Sequence, residues 1–334
     1  IYKLRLDFLR NERLIILVIL IEMLLLFLAR FIGISVNGAY GWISVAGVTI
    51  QPAEYLKIII IWYLAHRFSK QQEEIATYDF QVLTQNQWLP RAFNDWRFVL
   101  LVLIGSLGIF PDLGNATILV LVSLIMYTVS GIAYRWFSTI LALVSATSVF
   151  VLTTISLIGV ETFSKIPVFG YVAKRFSAFF NPFADRADAG HQLANSYFAM
   201  VNGGWFGLGL GNSIEKRGYL PEAHTDFVFS IVIEEFGFVG ASLILALLFF
   251  MILRIILVGI RAENPFNAMV ALGVGGMMGL IPSTGVTFPF LSQGGNSLLV
   301  LSVAVAFVLN IDASEKRAKL YRELENQPMN LLLK

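Results

Sequence analysis

Tyr219-Leu220-Pro221-Glu222-Ala223-His224-Thr225-Asp226-Phe227 leads straight into a long apolar run at 227–258. At 1.5 Å per residue that run makes a helix about 48 Å long, more than the ~30 Å hydrocarbon core of a bilayer. The stretch therefore predicts a membrane-spanning helix whose first turns rise out of the bilayer, with two carboxylates and a histidine at its mouth. Carboxylates at a membrane boundary are unfavourable unless they are solvated, paired or used. Glu222, His224 and Asp226 thus read as a site before they read as a loop.

The surrounding chain supports a membrane reading. Of 334 residues, 57% are hydrophobic and 14% charged, with a mean hydropathy of +0.74. Soluble domains carry about 25% charged residues, so the expected class is an all-α polytopic membrane protein. Further runs long enough to cross lie at 13–36, 114–130, 137–160 and 292–311, and shorter or interrupted ones at 52–67, 97–111 and 267–283. Eight spans result. Turn residues separate them at Asn37-Gly38, Pro111-Asp112-Leu113-Gly114, Ser130-Gly131 and Pro282-Ser283-Thr284-Gly285. Without cysteine there is no disulfide and no thiolate metal site. The chain opens Ile1-Tyr2-Lys3-Leu4-Arg5, with neither methionine nor a signal-peptide pattern, and is expected to lack an upstream part.

Cations orient the spans, because loops on the cytoplasmic side are enriched in Lys and Arg. One set of alternate loops, from Lys3 through Arg67, Arg135 and Arg261 to Lys334, holds 16. The opposite set holds 7: Arg30, Lys165, Lys174, Arg175, Arg186, Lys216 and Arg217. Both termini, the 68–96 loop and the 312–334 tail are then cytoplasmic. The 161–226 loop lies outside and ends in the acidic segment. Gly207, Gly209 and Gly211 follow no strand, so they do not make a dinucleotide-binding turn. No internal repeat of the kind common in transporters is evident.

Several residues carry two readings each. Asp226 is either the cap of the helix that follows or a carboxylate aimed into an outward cavity as a general base. On a continuous helix Glu234 lies about 80° round from Asp226 and Glu235 about 180°, so Glu234 is the better candidate for the same cavity. Structural pairing of either with a neighbouring helix is the competing reading. Glu54 and Lys57, three apart, share a helix face and should pair, or Lys57 presents its ammonium to a phosphate. Asp112 caps the 114–130 helix or serves the site. Arg175, with Lys174, Arg186, Lys216 and Arg217, makes either plain surface charge or a basic rim for an anionic headgroup. Ser292-Gln293-Gly294-Gly295-Asn296-Ser297 interrupts an apolar region, which suits a cavity lining or close helix packing.

Four blocks give the chain a resemblance to the SEDS family of peptidoglycan polymerases, RodA and FtsW. They are Asn37 through Ile43 leading to Gln51-Pro52-Ala53-Glu54-Tyr55-Leu56-Lys57, and Pro111-Asp112-Leu113-Gly114. The third runs from Asn181-Pro182-Phe183-Ala184-Asp185 through Gly203–Ser213 to the Asp226 segment and Glu234-Glu235. The fourth is Pro282–Gly285 with Pro289–Gly295. Together they cover residues 37–311, and the third is highly specific. The Pro221–Phe227 wording looks more like the division branch, FtsW, than the elongation branch, RodA. The chain departs from the family pattern at Tyr40-Gly41, where two basic residues are usual, at Gln293 (Tyr) and at Ile233 (Gly).

The resemblance implies a ten-span fold whose first two spans are absent here, making residues 1–334 a single SEDS domain. It implies polymerisation of lipid II, with undecaprenyl pyrophosphate as leaving group, at the outer face of the bacterial cytoplasmic membrane and at the division septum. Asp226 would be the catalytic base. Lys57, Glu54, Asp112, Arg175, Lys216, Glu222, His224, Glu234, Ser292 and Gln293 would bind substrate, and a divalent Mg or Mn ion is a possible helper. Expected partners are lipid II, a class B penicillin-binding protein, other divisome proteins and membrane lipids, with no nucleic acid. The rival readings are a flippase or transporter for the lipid-linked precursor, and a catalytically silent scaffold.

Overall fold

Pro52 fixes the first turn of a 26-residue helix in which Leu56, Ile60, Ile61, Leu64, Ala65 and Phe68 are all buried. Proline suits a first helical turn because the N–H it lacks would have no partner there. The computed structural model of the chain describes residues 6–36, 39–45, 47–77, 113–131, 190–280 and 288–325, with isolated residues at 105, 138–157 and 183. Among these, seven α-helices are designated α1 (Glu12–Ile32), α2 (Pro52–Thr77), α3 (Leu113–Val129), α4 (His191–Gly203), α5 (Val228–Arg261), α6 (Pro265–Gly279) and α7 (Gly295–Glu325). Three of them, α1, α5 and α7, are long and apolar enough to cross a membrane.

The described residues fall into two compact units. The first comprises α1, α2, α3, α6, α7 and α5 from Phe249 onward. Here α2 packs against α1, α3 and α6. Glycines let the helices approach closely: a Cβ on Gly273 would stand 2.4 Å from Met126 Sδ and 2.7 Å from Ile61 Cγ2, and one on Gly276 would stand 2.7 Å from Ile125 Cγ2. Small residues at such contacts are how helices gain packing energy where lipid is as apolar as the side chains. Glu54 and Lys57 form the expected pair at 2.7 Å, both buried. Asn264 accepts hydrogen bonds from the Phe266 and Asn267 N–H groups at the start of α6, the usual cap chemistry.

Between α1 and α2 the chain forms an antiparallel three-stranded meander: β1 (Ile34–Val36), β2 (Ala39–Val45) and β3 (Val48–Ile50). Ile34 pairs with Trp42 and Ser35 with Tyr40, so one residue slips between them; Ile43 pairs with Ile50. The sequence reading had only a turn here. Asn37-Gly38 is a hairpin signal in the sequence, but the seven residues of β2, Ala-Tyr-Gly-Trp-Ile-Ser-Val, lack a clean apolar–polar alternation. Asn296 ties β3 to α7, donating to the Thr49 carbonyl at 2.9 Å and accepting from the Tyr55 hydroxyl at 3.2 Å.

The second unit holds α4, the 204–227 segment, α5 up to Leu248 and residues 288–294. The helix α4 lies within what the sequence presented as a loop. Gly237, at φ 72° and ψ 179°, breaks α5. The run at 227–258 is therefore two helical pieces rather than one rod, and the 24 residues after the break span about 36 Å. Residues 97–111 lie outside the described set apart from Gly105, and 137–160 is described only at scattered helical positions.

Candidate active site

The break at Gly237 leaves backbone groups of α5 without helical partners, and the glycine-rich loop after α4 takes them up. Leu208 and Gly209 donate their N–H groups to the Glu234 and Glu235 carbonyls, each at 2.9 Å. In return Phe238 and Val239 donate to the Gly204 and Trp205 carbonyls at 2.9 and 3.1 Å. This needs backbone against backbone. A Cβ on Gly207 would stand 2.2 Å from the Glu235 carbonyl oxygen, and one on Gly203 would stand 2.1 Å from that of Ile233. Gly207 is also at φ 80°, a conformation costly for side-chain-bearing residues. The glycines thus serve a loop stitched into a broken helix.

Glu234 stands at the centre of that stitch, fully buried. Its carboxylate accepts from the Ser213 hydroxyl, from the Ile214 N–H at 3.1 Å, from the Glu215 N–H at 3.4 Å and from Asn202 Nδ2 at 3.3 Å. Four donors on one carboxylate fix the 202–215 segment. The helical arithmetic that set Glu234 beside Asp226 does not apply, because Asp226 lies in the turn before α5 rather than on the helix. Glu235 forms an ion pair with Lys216, so the Lys216 ammonium already has a carboxylate partner.

Glu215 was missed by sequence reading. It is buried, and its Oε2 has no hydrogen-bond partner. Burial pushes its carboxyl above the ordinary value, the Glu234 charge adds to this, and His191 opposes it. A raised acid stabilises the fold below its ordinary range and loses that contribution as pH rises. Stability of this unit should therefore fall as pH is raised from 4.5 towards neutrality, and Glu215→Gln should flatten that slope. Melting curves of both forms across this range test it.

The Asp226 segment is held from two sides. Below it, Leu220, Ala223 and Phe227 pack with Ile231 and Leu193. Beside it, residues 288–293 grip its backbone: the Ser292 hydroxyl donates to the Thr225 carbonyl at 2.6 Å, and the Gln293 N–H donates to the His224 carbonyl at 2.8 Å. Ser292 also accepts from the Phe288 N–H at 2.6 Å, and the Phe288 ring stacks on Phe229 at 5.2 Å between centroids. The polar 292–293 step is a backbone clamp. Ser292→Ala should lower stability by about 1–2 kcal/mol, since it leaves half-buried partners unsatisfied, and Ser292→Thr should restore most of it; thermal unfolding of both variants reads this out.

Within the clamp the backbone turns sharply. Glu222 sits at φ 57°, its carbonyl accepting from the Thr225 and Phe227 N–H groups and its carboxylate from the Thr225 hydroxyl at 2.7 Å. A non-glycine residue in the left-handed region is uncommon and tends to mark functional segments. The Phe227 carbonyl accepts the first helical bonds, from Ser230 and Ile231. Asp226 is thus one residue outside the cap position, half-buried, while Glu222 and His224 are exposed.

The structure brings Asp226, Glu222, His224, Ser292 and Gln293 together, with Glu234 and Lys216 bracing the same unit. Glu54 and Lys57 belong to the first unit. Asp112 and Arg175 lie outside the described residues.

Residues 1–317 match the family described as cell cycle protein, comprising FtsW, RodA and SpoVE. The chain belongs to the FtsW/RodA/SpoVE family. Within that family it is 47% identical, over 98% of its length and 82% of the relative's, to the probable peptidoglycan glycosyltransferase FtsW of Lactococcus lactis. Identity is 32% to the FtsW of Enterococcus hirae, covering 95% and 80% of the two chains. A chain of a peptidoglycan synthase complex superposes with a TM-score of 0.68 at 22% identity, covering 94% of this chain and 84% of that one. Thermus thermophilus RodA superposes at 0.55 with 23% identity, covering 93% and 82%. The family and its apolar helices make this a multi-pass membrane protein, with the FtsW/RodA fold.

Proposed function

We propose that this chain is a peptidoglycan glycosyltransferase, polymerising lipid II into glycan strands at the outer face of the bacterial cytoplasmic membrane. The observation that carries the reading is the 47% identity, across nearly the whole chain, to a relative named as that enzyme. Asp226, in the segment whose backbone is clamped, supplies the chemistry. The GlcNAc 4-hydroxyl of the acceptor attacks the anomeric carbon of the donor MurNAc, and the bond from that carbon to the pyrophosphate oxygen breaks. Undecaprenyl pyrophosphate leaves with the electron pair, the anomeric centre inverts, and Asp226 takes the hydroxyl proton.

An alcohol is a weak nucleophile, and a positioned base accelerates its attack by about 10²–10⁴-fold. The pyrophosphate needs charge stabilisation more than a proton, so one carboxylate with cations suffices, whereas glycosidases use a carboxylate pair. Arg175 is proposed to meet the pyrophosphate directly. Lys216 already holds a carboxylate, and Lys57, paired with Glu54, belongs to the first unit. His224, Glu222 and Gln293 border the acceptor. Among the described residues no three His, Asp or Glu side chains gather to hold a metal ion. A septal site of action, a ten-span fold, and a class B penicillin-binding protein with other divisome proteins as partners complete the proposal.

The absence of cysteine makes the test direct. A single cysteine in place of Tyr219, which is 60% exposed beside the site, should react with an impermeant thiol reagent from the outer side only. One in place of Tyr321, 71% exposed, should react only from the inside. Labelling of position 219 from both sides is what alternating access by a transporter would give, and would overturn the enzyme reading.

A further inference from the structure

We propose that a cleft between the polar ends of α5 and α7 binds the phosphate group of an anionic phospholipid. Arg254 and Arg261 of α5 are seven residues apart, which sets them on one face about 10 Å along the axis. On α7, Asp312, Glu315, Lys316 and Lys319 follow the spacing of a single face. These two faces enclose a cleft of about 360 Å³, with Leu257 and Val258 among its lining.

Each carboxylate of the cleft has its own partner. Asp312 pairs with Lys316 at 2.6 Å and Glu263 with Arg322 at 2.5 Å. Glu315 accepts from Asn267 Nδ2 at 2.7 Å and from the Glu263 N–H at 3.1 Å. Arg254, Arg261 and Lys319 line the same cleft with no ion pair among the described residues. Three uncommitted cations around one cavity leave it lacking an anion.

Depth and surroundings identify that anion as a lipid phosphate. The cleft lies where two apolar helices turn polar, at headgroup level. Beside it on α5, Phe250, Leu253, Leu257 and Ile260 are exposed and offer acyl chains a continuous apolar track. Guanidinium groups hold phosphate oxygens bidentately, and basic pockets between spans are known to select anionic headgroups. The cationic bias of the sequence assigns this end to the cytoplasmic leaflet, where anionic lipids concentrate.

The full chain, purified in mild detergent, can be titrated with phosphatidylglycerol, with phosphatidylcholine and with inorganic phosphate, read by native mass spectrometry and thermal shift. Phosphatidylglycerol should bind and stabilise, and phosphatidylcholine should not. Each cation is worth about fivefold in affinity, so Arg254→Gln with Arg261→Gln should weaken phosphatidylglycerol binding about 25-fold. Both arginines lack ion-pair partners, so their loss orphans no charge. Where the double variant fails to fold, Lys319→Gln alone decides, by a fivefold loss or none. Undiminished phosphatidylglycerol binding would overturn the proposal, as would inorganic phosphate stabilising the wild type equally well.

Discussion

Asp226→Asn should reduce glycan synthesis by about 10²–10⁴-fold while leaving the fold intact. Asparagine keeps the size and hydrogen-bonding capacity of the side chain and removes only the proton-accepting charge. The position tolerates this structurally. Asp226 is half-buried and stands outside the cap of α5, and its neighbours are held by their backbones through Ser292 and Gln293. Stability should change by less than about 1 kcal/mol, the range of substitutions away from cores and caps. A residue that served only the fold would show the reverse: lowered melting temperature with activity per folded molecule retained.

Gly237→Ala should strongly destabilise the second unit. At φ 72° and ψ 179° a side-chain-bearing residue is strained by about 1–3 kcal/mol. The added Cβ would also stand 2.4 Å from both the Phe206 nitrogen and the Trp205 carbonyl oxygen, which are backbone and cannot rotate aside. Displacing them breaks the four bonds that join residues 204–209 to α5, each worth about 1 kcal/mol net. The total is a loss of about 5–7 kcal/mol. Alanine also favours a continuous helix, so the 204–209 loop should be released and become open to protease. Limited proteolysis alongside thermal unfolding checks both. An uncut loop with an unchanged melting temperature would contradict the stitched-loop account.

The parts of this protein legible in its sequence are those governed by local rules. Helix α1 was expected at 13–36 and occurs at Glu12–Ile32; α6 was expected from 267 and starts at Pro265. The Glu54–Lys57 pair followed from spacing alone, since buried opposite charges three apart have little choice but to meet. What stayed hidden depends on residues far apart in sequence. An isolated glycine such as Gly237, inside an apolar run, looks like a packing residue. Its role as a break appears only when Gly207 and Trp205 come against it. Glu234 looked like a cavity residue because a helix through Asp226 was assumed, and only the cage from Asn202 and Ser213 reveals an anchor. Ser292 was assigned to a cavity or a packing face, and its clamp on Thr225, 67 residues away, has no local signature. At 34–50, β1 and β3 have three residues each and the seven of β2 lack clean alternation, so no strand pattern registers.

The central claim is that this chain joins lipid II units with Asp226 as the base. Proteoliposomes carrying the purified wild type and the Asp226→Asn variant side by side, supplied with lipid II, test it by glycan length on a gel. The account predicts long strands from the wild type and almost none from an equally well folded variant. Strands of normal length and amount from Asp226→Asn would contradict it.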